Sequence, residues 1–244
     1  LAAAIVWTLI VAGMLAWDVR RIVDGARDQA LSDARANFKK DMAVRYWAAS
    51  HGGVYVPVDD RTPPSPYLKD IPERDVYTPS GKRLTLMNPA YITRQINKYF
   101  LDMYGVAGHL TSLKPLNPDD KPDEWERAAL GAFERGEKEI SSLANIGGKK
   151  HLRMMRPMVT EASCLKCHEQ QGYKVGDVRG GLSVSIPMEQ YENFARRELL
   201  DHLAANSVLW LVGLLGLTIG HRWILEQLMA RVEVQKALTG SEET

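Results

Sequence analysis

Two stretches of this chain carry no charged side chain: residues 1–17, LAAAIVWTLIVAGMLAW, and residues 203–220, LAANSVLWLVGLLGLTIG. All 31 Lys and Arg and all 30 Asp and Glu lie between them or from Arg222 onward. A helix crossing the hydrocarbon of a bilayer needs about 20 predominantly apolar residues, so both blocks are read as membrane spans. The first opens on Leu, so it is expected to be the remainder of a longer segment, and an uncleaved anchor is favoured over a signal peptide because no A-x-A-like site precedes Asp18. The second is flanked by Trp210, Trp223 and His221-Arg222, side chains that suit a membrane interface.

Charge in the intervening segment is nearly balanced, with no basic excess and no run of Arg and Lys interleaved with aromatics, which excludes a nucleic-acid module. The segment is also long enough to bury a core. From Asp18 to Ser50 the residues Val19, Val23, Ala26, Ala30, Ala34, Phe38 and Met42 recur every three or four positions, predicting a helix that Gly52-Gly53 ends. This stripe is expected to be a stalk that pairs with a second copy of the chain. Strands are predicted at Val54–Pro57, Leu84–Met87, His151–Thr160 and Gly181–Met188. Helices are predicted from the Asn88 cap to Tyr104, where Gly105 stops the run, and from Pro122 to Arg135. That order of elements implies an α+β domain with a small antiparallel sheet and flanking helices.

The chain has two cysteines, both in Cys164-Leu165-Lys166-Cys167-His168. Two bridgeless thiols exclude a disulfide scaffold, and a structural zinc site would need four ligands. Cys-x-x-Cys-His is the pattern of covalent c-type haem attachment: two thiols for the two vinyl groups and an imidazole to ligate iron. Cys164 and Cys167 are therefore expected to form thioethers to one haem c, and His168 to be the proximal ligand. Haem c is attached outside the bacterial cytoplasmic membrane, which places residues 18–202 in the periplasm between two passes through the inner membrane. The expected organisation is span 1–17, stalk helix 18–50, exported domain 51–187, membrane-proximal helix 188–202, span 203–220 and cytoplasmic linker helix 221–244.

For the far side of the iron the first choice is His51, at the end of the stalk helix, where ligation would couple iron to helix. Next come His109, expected in a loop after Gly108, and Met87; His151, Met154, Met155 and Met158 also qualify as ligands, and a water-ligated or open iron is the other outcome. Arg179 is a candidate partner for the haem propionates, as are Arg153, Arg156 and Lys174. Tyr55, Tyr91 and Tyr173 are candidate pocket residues. No Ser/His/Asp signature or phosphate-binding loop is present, so no catalytic residue is assigned and the chain is not expected to be an enzyme.

Four blocks, WAASHGGVYVP (47–57), LTLMNPAYITRQ (84–95), HLTSLKPLNPDDKPDEWERAAL (109–130) and EASCLKCHEQQGYKVGDVRGGLSVSIPM (161–188), resemble the single-haem c-type, PAS-like sensor family formerly catalogued as a domain of unknown function. The resemblance spans roughly residues 40–190. It implies a PAS-like fold holding a covalent haem ahead of a cytoplasmic histidine kinase, diguanylate cyclase or chemoreceptor module, and hence a sensor of redox state or of a small gas. The competing reading is a membrane-bound electron-transfer cytochrome or an accessory subunit of a respiratory or photosynthetic complex. The expected partners are the lipid bilayer, a second copy of the chain, and a small gas or a redox partner.

Overall fold

The computed structural model describes residues 1–240, with the backbone alone at 166, 167, 169 and 237–240. Residues 27–191 form one compact unit, and residues 1–26 with those from 192 onward form another. Two long helices, α1 (Ala2–Ser50) and α5 (Glu189–Gly240), contribute to both. Each is long and apolar enough to span a membrane.

In the smaller unit the two helical segments meet through reciprocal indole bonds. Trp7 Nε1 donates to the carbonyl of Trp210 at 3.2 Å, and Trp210 Nε1 donates to Thr8 Oγ1 at 3.0 Å. Gly213 permits this approach, since a Cβ there would stand 2.2 Å from the Trp7 ring. Asp18 Oδ2 accepts from His202 Nδ1 at 3.0 Å and Asn206 Nδ2 at 3.3 Å. These polar groups therefore satisfy one another at the first charged position of the chain.

The larger unit is α+β, the expected antiparallel sheet with flanking helices. Its central sheet has the order β4-β7-β6-β5, built from β4 (Ala107–Thr111), β5 (Ile140–Ile146), β6 (Lys149–Val159) and β7 (Val178–Pro187), all antiparallel. A smaller sheet pairs β1 (Val54–Pro57) and β2 (Asp75–Tyr77) on either side of β3 (Arg83–Met87). Helix α2 (Pro89–Tyr104) has the predicted ends: Asn88 Oδ1 accepts from the Tyr91 amide at 2.9 Å, Pro89 opens the first turn, and Gly105 closes it at φ 69°. Helix α3 (Glu124–Glu134) begins two residues later than expected, because Asp123 and Glu126 form a capping box that fixes the start. Its inner face, Ala129, Leu130 and Phe133, packs with Met155 of β6. Burying a side chain the size of Leu or Phe contributes about 1.5–3 kcal/mol.

Strands β2, β4 and β5 are absent from the sequence reading. His109 consequently lies in β4, paired with Ser183 of β7, and not in a loop. Gly108 serves the packing of α2 on this strand: a Cβ there would meet the Asn97 side chain at 2.4 Å. Part of the stripe on α1 packs within the chain, while Val23 is exposed. Ala30, Ala34, Phe38 and Ala48 are buried in the larger unit itself. Asp33 accepts from the Tyr191 hydroxyl at 2.6 Å, and Arg35 forms a bidentate pair with Glu139, which also accepts from Arg156 Nε at 2.7 Å. From Ala30 to Ala48 these buried positions are core of the larger unit.

Candidate functional site

The segment that carries the cysteine motif is a loop between β6 and β7, closed at its base by the backbone. The Thr160 amide donates to the Asp177 carbonyl at 2.8 Å, and the Gly176 amide to the Thr160 carbonyl at 2.9 Å. Above that closure lie a 3-10 turn, Ala162–Cys164, and the one-turn helix α4 (Leu165–His168). The Cys164 thiol is free and partly buried. Cys167, the second thiol of the motif, lies outside the described residues as far as its side chain is concerned.

The imidazole of His168 is held at both nitrogens. Arg179 Nη1 lies 2.9 Å from Nε2, and Gln171 Oε1 is hydrogen-bonded to Nδ1. A guanidinium can only donate, so Nε2 is the acceptor and Nδ1 carries the proton, which it gives to the amide oxygen of Gln171. That amide is itself oriented, its Nε2 donating to the Lys114 carbonyl at 3.0 Å. Burial, with the positive charge of Arg179 adding to it, holds the His168 pKa below the ordinary histidine value. The ring is thus a neutral imidazole whose Nε2 lone pair is covered by Arg179; neutral imidazole is the form in which histidine ligates a metal.

Two cavities adjoin at this ring. His168, Arg179, Met158, Asn88 and Ala90 line both. The first, about 120 Å³, is walled on one side by α1, through Met42, Arg45, Tyr46 and Ala49, a spacing that keeps all four on one face of the helix. Cys164 opens into this cavity. The second, about 340 Å³, is lined by apolar Leu68, Ile71, Leu110 and Leu116 and by the Arg94–Asp120 ion pair, whose N–O separation is 3.0 Å.

Positive charge around the first cavity exceeds what its acids balance. Arg45 is 8% exposed, and Nη1 makes only long bonds, 3.5 Å to the Pro89 carbonyl and 3.4 Å to Thr93 Oγ1. Burial, and then the charge of Arg179, pulls its pKa down to about 10. The buried Nε of Arg179 has no partner. A buried donor without an acceptor is costly, so these two side chains suit a bound anion. Apolar walls, a thiol and a lone-pair imidazole at one end, and two guanidinium groups are together a donor set that fits a flat, dianionic, metal-bearing group attached through sulfur.

Of the side chains named from sequence, the structure brings Cys164, His168, Met158 and Arg179 to this site. It places the others elsewhere, with the exception of Tyr173. His51 is exposed, and its Nδ1 lies 2.8 Å from the Trp47 carbonyl and 3.1 Å from Ser50 Oγ, so it caps the end of α1 and lines neither cavity. Met87 is buried at the end of β3 and also lines neither. His109 bonds Glu126, while Arg153 pairs with Asp123 and Glu126 and stacks on Trp125. Arg156 pairs with Glu139. Met154 and Met155 are fully buried core, and His151 Nδ1 bonds the Lys149 carbonyl. The Tyr55 and Tyr91 hydroxyls donate to the Glu73 and Pro63 carbonyls. Tyr173 stands edge-on to His168 with centroids 6.4 Å apart, and Lys174 is exposed. Sequence reasoning missed Arg45 and Gln171. The signal for Arg45 was present, a charged residue on the same helix face as Met42 and Ala49, where a solvated charge does not belong.

The family model described as Tll0287-like matches residues 22–187. Among solved structures, the crystal structure of the cyanobacterial heme-protein Tll0287 is similar at 19% identity and a TM-score of 0.44, covering 65% of this chain and 95% of that one. No curated protein matches.

Proposed function

The chain belongs to the Tll0287-like family, and from that premise we propose that it is a membrane-anchored c-type haem domain that senses redox state or a small gas and signals across the membrane. The observation that carries this reading is the joint opening of Cys164 and His168 into one cavity, with Arg179 on the imidazole nitrogen that would ligate. The similar cyanobacterial protein is itself described as a heme-protein. In this reading Cys164 and Cys167 would form the two thioethers and His168 Nε2 would ligate iron. Gln171 keeps the ring in the Nδ1-protonated tautomer, and Leu68, Ile71, Leu110 and Leu116 give the larger cavity an apolar part against which the group's face would pack. The bound group would supply an iron that changes oxidation state and, where its sixth position is open, takes a diatomic gas. Met42 and Met158 are the thioethers that line the cavity with His168, and they would be nearer candidates for a protein ligand than His51, which lines neither cavity.

Signalling is supported by the course of the helices: α1 places Met42, Arg45 and Tyr46 in the wall of the cavity and contains one membrane-length apolar segment, while α5 contains the other. The proposal puts residues 18–202 in the periplasm of a two-pass inner-membrane protein, with a second copy pairing along the exposed side of α1. It assigns no catalytic residue to this chain. A spin label at Arg231→Cys, in the full chain reconstituted into vesicles, tests the signalling claim. Reduction of the haem, or carbon monoxide on the reduced form, should change the label's spectrum. An unchanged spectrum with the haem fully reduced and carbon monoxide present would leave the electron-transfer reading in its place.

A further inference from the structure

Arg45 is the side chain in the larger unit whose environment matches its charge least. It sits on α1 almost wholly buried, and among the described residues no carboxylate pairs with it. Asp41, one turn earlier, is buried too, but its ion pair is with Lys40 at 3.4 Å. Glu161, also in the cavity wall, is exposed and bonds the Tyr46 hydroxyl. A guanidinium has five N–H donors, and the long bonds to Pro89 and Thr93 occupy one nitrogen of the fork. Arg179, across the same cavity, spends Nη1 on His168 and leaves Nε without an acceptor. Two guanidinium groups lining one partly open cavity repel one another unless an anion lies between them.

We propose that Arg45 and Arg179 form a paired receptor for the two carboxylates of the prosthetic group, tying helix α1 directly to it. The inference rests on the haem reading above and deepens it by assigning the propionate contacts. Carboxylates bound bidentately by guanidinium are among the stronger charge-assisted contacts. Arg179 then has two uses: without the group it covers the His168 lone pair, and with the group it releases Nε2 and turns to the carboxylate. Arg45 gives α1 a contact that depends on charge in the pocket, because it lies on the same helix face as Met42 and Ala49 and has no competing acid partner.

The test uses the full chain in detergent carrying Cys164→Ala and Cys167→Ala, titrated with haem and with haem dimethyl ester, which lacks both carboxylate charges. With Arg45 present the free acid should bind roughly tenfold or more tightly than the ester, the scale of one charged hydrogen-bonded contact. Arg45→Met should erase most of that preference, and Arg45→Lys should restore part of it. A preference equal to that of the parent in Arg45→Met overturns the proposal. Where the methionine variant does not accumulate folded, the covalent protein decides: Arg45→Gln should lower the haem midpoint potential, because a cation that disfavours the ferric state is gone, and an unmoved potential overturns the assignment. Absence of covalent haem from the unmodified chain would instead sink the haem reading itself, so the two failures are distinguishable.

Discussion

Arg179 Nη1 lies 2.9 Å from Nε2 of His168, a guanidinium donating to the nitrogen of an imidazole. Arginine keeps its protons in proteins, so this one contact settles the tautomer of His168 and the direction of its other bond, to Gln171. Such outer partners of a metal-ligating histidine orient the ring and set its basicity.

The first prediction concerns that outer bond. In the cysteine-free chain, Gln171→Leu removes the acceptor for Nδ1–H, and haem affinity should fall about tenfold to a hundredfold. Gln171→Glu supplies a stronger acceptor, so in the covalent protein it should lower the midpoint potential. Optical titration and potentiometry read these effects. Affinity and potential unchanged in both variants would mean that the ring is positioned by something else.

A second prediction is a pH dependence of stability from β4. His109 Nδ1 bonds the Glu126 carboxylate at 2.9 Å, and Nε2 bonds the Asp119 carbonyl at 2.9 Å. The hydrogen bond to Glu126 is the main reason that the His109 pKa is raised to about 8 from an ordinary 6.5. A folded value above the unfolded one means stability present in full below 6.5 and lost as pH climbs through about 8. Solvent screens the partly exposed ring, so the effect is modest. Thermal unfolding should show a lower midpoint at about pH 9 than at about pH 6, and His109→Gln should flatten the difference. A pH profile identical in the variant would show that another group titrates.

A third prediction follows from the close approach of β4 and β7 beside Arg179. A Cβ on Gly180 would lie 2.3 Å from the Thr111 carbonyl oxygen, a backbone atom that cannot turn aside. Gly180→Ala should cost about 1–3 kcal/mol, the usual cost of forcing an extra methyl group into packed structure. Hydrogen exchange should show the loss concentrated in β4. Parent-like unfolding and exchange would mean that the strands separate there without penalty.

The fourth prediction separates two readings of His51. Since its ring caps the end of α1, His51→Ala should leave the haem's spin state and midpoint potential as they are in the parent. A change to high spin on removing His51 would return it to the iron.

What was legible in the sequence was whatever rests on local chemistry. The Asn88-Pro89 start and Gly105 stop of α2 appear in place because caps act over a few residues. The cysteine motif pointed to the candidate site for the same reason, since Cys164 and His168 line one cavity. Strands β4, AGHLT, and β5, ISSLANI, were invisible because they contain few β-branched or aromatic residues and are held by neighbours distant in sequence. The role of His51 was not legible because a helix-end histidine has the same local context whether it bonds its own carbonyls, as here, or reaches a distant metal. Arg45 went unread although its place on the helix face of Met42 and Ala49 marked it, because the groups that make the position matter, Pro89, Thr93 and the cavity, are distant in sequence.

The measurement that bears most directly on the whole account is the mass of the intact polypeptide after co-expression with a cytochrome c maturation system and extraction with acidified acetone. The account predicts one haem retained per chain, with Cys164→Ala/Cys167→Ala at the mass of the bare polypeptide. A parent chain that emerges at its bare mass, all of its haem in the solvent, would contradict it.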